Sequence, residues 1–224
     1  MEEFYNTFDG IWSKLGQLLW FKQGRNRYLG TQDACAAGIL LILSMAIHFH
    51  LLQHPMDVVF DEVHFGNFTN DYILHTNFFD IHPPLGKMIL YLFSALQEYD
   101  GHIYFEQKYK DESYVPLRLT PAFFGSFCPV FVYFACSRRG CSVTSAFTAG
   151  ILTVLETSLL AEHKFILSDA FLHFFSSLFI CAYARVPENS AHLALTGILL
   201  GCACSCKNTA FGLALYGLMR LIPE

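Results

Sequence analysis

The chain reads as an all-α membrane protein with several membrane-crossing helices, and three observations lead there. Of its 224 residues, 54% are hydrophobic and only 15% charged, with a mean hydropathy of +0.37; that is too apolar for an ordinary soluble domain. The apolar residues lie in long blocks separated by short polar ones, as spans of roughly 20 apolar residues require. The basic residues sit in small groups at the ends of these blocks, where the preference for positive charge on the cytosolic side orients each span. With a net charge of -5 and no single basic field, nucleic acid is not an expected partner.

In chain order, residues 1–32 carry Phe4, Tyr5, Phe8, Trp12, Trp20 and Phe21, followed by Lys22, Arg25 and Arg27. This pattern predicts an interfacial amphipathic segment on the cytosolic side rather than a cleaved signal. Residues 33–224 then form the membrane domain, with about six spans. Residues 34–52 are the first, with His48 and His50 read as interfacial residues near its far end. Residues 53–115 are the longest polar region and fall on the outer side. Within them Pro83-Pro84 is expected to open a juxtamembrane helix over 85–96, too short to span at roughly 1.5 Å per residue.

Residues 116–135 form the second span, returning inward to Arg138 and Arg139, and 143–160 the third. A polar turn over 162–169 lies on the outer side, and 170–184 is a short fourth span ended by Arg185 inside. Residues 192–206 and 210–222 are a helical pair interrupted at Lys207, or alternatively one long tilted helix with Lys207 facing a polar cavity. In this topology 57–115 and 162–169 are outside, and 137–142 and 185–190 inside. Cys202, Cys204 and Cys206 are two apart, and a helix turns such residues by about 200° per step, so no metal site is expected there. No glycine-rich phosphate cradle and no third ligand to a helical histidine pair is found, so neither metal nor cofactor is expected.

The topology sends Asp61, Glu62, His64, His82, Lys87, Arg118, Lys164, Asp169 and Lys207 to one side of the membrane. Adjacent acids followed by histidine and lysine suit general-base catalysis on a hydroxyl, with cations holding a phosphate. Serine and threonine hydroxyls are poor nucleophiles until a carboxylate accepts their proton, and a departing phosphate needs preplaced positive charge. Surface polarity alone accounts for many such Asp-Glu pairs, but proline, glycine and lysine in the run 83–87 build a rigid platform that solvation does not ask for.

At these residues a family resemblance emerges. Phe60-Asp-Glu-Val-His-Phe-Gly66 with Thr76-Asn-Phe-Phe-Asp-Ile-His-Pro-Pro-Leu-Gly-Lys-Met88 closely resembles the first lumenal loop of the protein O-mannosyltransferases. These endoplasmic reticulum enzymes of the GT-C type move mannose from dolichyl-phosphate-mannose to serine or threonine of acceptor proteins. The resemblance continues through Tyr99-Asp-Gly101, Ser113-Tyr-Val-Pro-Leu-Arg-Leu119 and Phe165-Ile-Leu-Ser-Asp169, and more weakly from Gly201 to Gly212. It implies a GT-C-like N-terminal transmembrane bundle whose lumenal loop, 53–115, carries juxtamembrane helices. It also implies Asp61 as base or acceptor-orienting carboxylate, Glu62 as its essential neighbour, and Arg118 as support for the site or for subunit pairing.

The resemblance further places His64, His82, Lys87, Lys164, Asp169 and Lys207 with Arg118 around the donor phosphate. Lys164 stands where the family usually has an arginine, keeping the charge without its bidentate geometry. The family's MIR domain is not expected within these residues. A homodimer or heterodimer with a family member is implied, as is a multi-pass location in the endoplasmic reticulum membrane among its lipids. The competing reading is a non-catalytic partner of a full-length relative. Asn67-Phe-Thr69 is a glycosylation sequon, which suits a lumenal loop; its closeness to Glu62 predicts poor modification.

Overall fold

A computed structural model describes residues 30–184 and 190–219. The expected interfacial segment therefore lies almost wholly outside the described residues, as do Arg185 and Arg220. The described residues form helices and 3-10 turns, with one isolated backbone bridge between Asp57 and Lys108 and no strand.

Helix α1, Thr31–Phe49, opens at Gly30, whose N–H donates to Asp33 at 3.0 Å. It places Leu40 beneath Gly150, where an added Cβ would lie 2.6 Å from the leucine. The chain leaves helical geometry at His50, so this helix ends earlier than expected. The 53–115 segment carries helices, as expected. It contains α2, Glu62–Ile73, and α3, Leu85–Leu96. Pro84 stands at the N-cap of α3 as the Pro-Pro pair predicts. Phe65, Leu90, Phe105, Tyr114 and Leu117 form one core with Ile166 and Leu167, so this segment folds down onto the connection before residue 169.

A 3-10 turn, Glu112–Tyr114, leads into α4, Val115–Gly125, and α5, Cys128–Arg138. The break between α4 and α5 has a chemical cause. Pro129 has no N–H for the carbonyl four residues earlier, and its ring crowds that position. Helix α6, Val143–Val154, is capped by Ser142, which accepts from the Ser145 N–H. It is followed at an angle of 56° by α7, Thr157–Lys164, which Glu156 caps. The expected straight span 143–160 is thus bent at 155–156, and much of the expected polar turn 162–169 is helical. Glu156 explains this, because its carboxylate accepts from the N–H groups of Ser158 and Leu159 and starts a new helix.

Helix α8, Asp169–Ala182, packs against α9, Ser190–Cys206, around Phe179, Ala182, Tyr183 and Leu199. Lys207 is extended, a short 3-10 turn follows, and α10 occupies Phe211–Met219. This decides between the two readings of the pair: it is broken at Lys207 and is not one long helix. Among the described residues, two helical stretches, Thr31–Phe49 and Glu112–Arg138, are long and apolar enough to cross a membrane, and the bent pair α6 and α7 makes a third if counted as one span. The expected spans 170–184 and 192–206 take the form of shorter apolar helices. At about 1.5 Å per residue, helices of this length fall short of the roughly 30 Å hydrocarbon core.

Candidate active site

The centre of the site is a buried ion pair. Glu62, in the first turn of α2, and Arg118, on α4, are both 0% exposed. Arg118 Nε and Nη2 donate to the two Glu62 oxygens at 2.8 and 2.7 Å. Its remaining N–H groups donate to the carbonyls of Leu52, Pro55 and Asp57. Those five bonds use every donor a guanidinium has. Glu62 in turn accepts from the backbone N–H of Val59 at 2.9 Å and of Ile166 at 3.0 Å. The Arg118 guanidinium also lies over Tyr114 at 4.6 Å, Phe165 at 5.0 Å and Tyr109 at 5.4 Å.

One salt bridge therefore fastens three stretches distant in sequence: 52–62, α4 and 165–166. The expectation that Arg118 contacts phosphate gives way to the other role implied for it, supporting the site, because it has no donor to spare. Glu62 likewise has its four bonds within the protein, and its role is to hold the clamp.

Asp61 differs in every respect. It is the N-cap residue of α2, only partly buried, and its carboxylate makes no capping bond and no ion pair among the described residues. Its carbonyl accepts from His64 and Phe65, which fixes the backbone while leaving the side chain free. Phe60, directly before it, is held at φ 52 with its ring 78% exposed. A bulky residue adopts that conformation only where its surroundings impose it. With Glu62 held in the clamp, the neighbouring acid stays partly exposed.

The run 78–87 forms the flank. Lys87 is 3% exposed; its ammonium pairs with Asp80, donates to the His82 carbonyl at 2.8 Å and lies 5.3 Å from the centre of the Phe68 ring. His82 stacks on Phe65. Gly86 lets α3 approach α8 closely, since an added Cβ would lie 2.9 Å from that of Ser168. Lys87 accordingly builds the platform from beneath instead of reaching out to a phosphate.

Burial alone would raise the Asp80 carboxyl. The Lys87 hydrogen bond, the His82 backbone N–H and the Lys87 charge outweigh it and hold the group below its ordinary value. A depressed value contributes stability above the unfolded pKa, about 3.9, and loses it as pH falls through the lower folded value. Asp80→Asn should therefore destabilise the fold by about 3 kcal/mol at neutral pH, by stranding the buried lysine. Thermal melts against pH should show that gap constant down to about pH 5 and closing only below about pH 4. A gap already closed near pH 6 would contradict the pairing.

The other expected residues separate into groups. His64 is exposed, one turn along from Asp61. Lys164, at the end of α7, donates to the His50 carbonyl and so ties α7 to the end of α1. Lys207 and Asp169 are joined at 2.7 Å and are each partly accessible, which accounts for a lysine at the break between α9 and α10. Among the described residues, no group of three or more His, Cys, Asp or Glu side chains is arranged to hold a metal ion.

Asn67 is exposed on α2, but Thr69 of its sequon is 1% exposed and donates to the Phe65 carbonyl at 2.8 Å. Once α2 has formed, the sequon is helical and its hydroxyl occupied. The chain should migrate identically with and without endoglycosidase treatment, and Asn67→Gln should leave mobility unchanged; a glycan-sized shift lost in that variant would contradict this.

Three features escape sequence reasoning. Asp80 lies inside the motif but carries no mark of being Lys87's partner. The aromatic box over Arg118 draws on three separate segments. His48, expected as an interfacial residue, is buried in the protein and hydrogen-bonded to His163, from α7. Only the unusual cost of a histidine in an apolar run could have pointed to it.

Residues 38–222 match the model of the family described as dolichyl-phosphate-mannose-protein mannosyltransferase. The chain is 34% identical over 187 residues to dolichyl-phosphate-mannose–protein mannosyltransferase 4 of Schizosaccharomyces pombe, covering 77% of this chain and 24% of that protein. It is 38% identical over 181 residues to mannosyltransferase 3 of Saccharomyces cerevisiae, covering 75% and 24%. The structure of the S. cerevisiae Pmt1-Pmt2 complex bound to the sugar donor superposes with a TM-score of 0.77 at 29% identity, over 86% of this chain and 29% of that one. The chain thus spans about a quarter of the length of the curated relatives it matches. It belongs to the dolichyl-phosphate-mannose–protein mannosyltransferase family.

Proposed function

We propose that this chain takes part in protein O-mannosylation, transferring mannose from dolichyl-phosphate-mannose to serine or threonine of acceptor proteins at the endoplasmic reticulum membrane. The observation that carries this reading is the division of labour between two adjacent acids: Glu62 is fully engaged in the clamp, and Asp61 is left free at the surface. The acceptor hydroxyl approaches Asp61, which takes its proton as oxygen attacks the anomeric carbon. The bond from that carbon to the phosphate oxygen breaks on the opposite face, with inversion, and the electron pair leaves with dolichyl phosphate. Lys164 and, on release from Asp169, Lys207 supply the positive charge that the leaving phosphate needs. No metal or cofactor enters this scheme; the lipid-linked sugar is the second substrate. Pairing with a family member is part of the proposal, because the structural neighbour is a two-protein complex.

The test is mannosyl transfer to a serine/threonine peptide in microsomes from cells lacking full-length relatives, with this chain expressed alone or beside one relative. Transfer that depends on this chain is the expected result. An inactive chain that copurifies with the relative and alters its yield would replace the catalytic reading with that of a non-catalytic partner.

A further inference from the structure

Three histidines from three helices form a hydrogen-bonded file that the scheme above does not use. His48 of α1 has Nδ1 2.8 Å from the Ser44 carbonyl oxygen, with the Ser44 hydroxyl at 3.2 Å, and Nε2 3.1 Å from Nδ1 of His163, on α7. His163 Nε2 is in turn 3.1 Å from Nδ1 of His173, on α8. His48 and His163 are buried, and Gly125 of α4 closes over the middle ring, where an added Cβ would lie 2.4 Å from it.

The partners fix the order of protons. A carbonyl oxygen only accepts, so His48 Nδ1 carries hydrogen and its Nε2, in the neutral ring, accepts. His163 Nδ1 must then donate, and its Nε2 accepts from His173 Nδ1. All three neutral rings are the Nδ1–H tautomer, and His173 Nε2 is the one ring nitrogen without a partner in the file. One extra proton enters there without breaking a bond, because reversing successive donors lets it rest on any of the three rings. A second would set two N–H groups against each other across a 3.1 Å gap. The file holds one proton or none.

The last ring of the file lies among charges. Glu162 of α7 is 3.7 Å from His173 Nδ1. Asp169 one turn earlier on α8, Glu156 at the cap of α7, and Lys207 are close enough to act on the ring's charge, while Lys164 acts on His48. Asp169 is the carboxylate that holds Lys207.

We propose that the His48–His163–His173 file is a one-proton store that loads at His173 as the leaving phosphate gains its negative charge, drawing Asp169 toward the new imidazolium and freeing Lys207 for the phosphate. This rests on the lipid-phosphate reading above and adds a positioning role to it. The proton that the acceptor hydroxyl gives Asp61 leaves through water, and the proton taken up at His173 Nε2 comes from water.

The test is binding of dolichyl phosphate to the full chain in nanodiscs, wild type against His173→Asn, across the range of about pH 5.5–7.5 where histidine titrates. The asparagine amide still donates to His163 Nε2 but cannot load. On acidification, wild-type affinity should gain on the variant by up to about tenfold per pH unit, the signature of one linked proton; the ligand's own titration is common to both and cancels. Calorimetry of the wild type in two buffers of different ionisation enthalpy counts the same proton without any variant. Parallel pH dependences, or a proton count equal to the ligand's own, would overturn the store and leave the phosphate reading standing. No binding by either protein at any pH would overturn both.

Discussion

Arg118→Ala should cost about 3–5 kcal/mol of stability, the penalty for stranding one member of a buried ion pair. With typical domain stabilities of about 5–15 kcal/mol, much of the folded population is then at risk. The charge left behind is Glu62, 0% exposed and reduced to two backbone donors. Three carbonyls, of Leu52, Pro55 and Asp57, lose their donor in the same step. Arg118→Lys should rescue little, because an ammonium has three donors and no planar fork to match five acceptors. The informative control removes both charges: Glu62→Leu with Arg118→Met should be more stable than either charge-stranding single variant, since apolar groups of similar size often replace a buried pair at little cost. Thermal unfolding of detergent-purified proteins measures each of these variants. An Arg118→Ala protein melting within about 2 °C of wild type would remove the clamp from the account.

Much of this arrangement was legible before any coordinates. Acids, histidines and a lysine next to apolar spans carry a desolvation cost that chance composition rarely sustains, so Asp61, Glu62, Lys87, Arg118 and Lys207 stood out as residues with a task. What could not be read was which task belongs to which residue. Glu62 and Asp61 are chemically near-equal neighbours; only the positions of Arg118 and of the Val59 and Ile166 amides, set by tertiary packing, decide which is engaged. The bounds of helix α2 were hidden because its buried residues, Glu62, Phe65, Gly66 and Thr69, include a single large apolar side chain. The interruption at 126–127 and the bend at 155–156 follow from Pro129 and Glu156, local signals that a count of apolar residues passes over. The histidine file was beyond sequence reasoning altogether, since 48 and 163 meet only in the folded chain.

Asp61→Asn separates the two acids by experiment. Asparagine keeps the size and the backbone position of the N-cap but takes no proton, and loss of general-base help typically costs about 10²–10⁴-fold in rate. Because the Asp61 carboxylate has no partner in the described structure, the variant strands no buried group, and its melting temperature should match wild type. Glu62→Gln should behave oppositely. It places a neutral amide against a guanidinium and two N–H donors, so stability falls and activity falls only as a consequence of that loss. The pair of variants therefore predicts a crossed result: turnover lost with stability and dolichyl-phosphate-mannose binding kept for Asp61→Asn, stability lost first for Glu62→Gln. Microsomal peptide mannosylation, donor binding and thermal melts on the same preparations read all three quantities. Turnover surviving Asp61→Asn would take the base role away from this residue, and a Glu62→Gln protein as stable as wild type but inactive would hand that role to its neighbour.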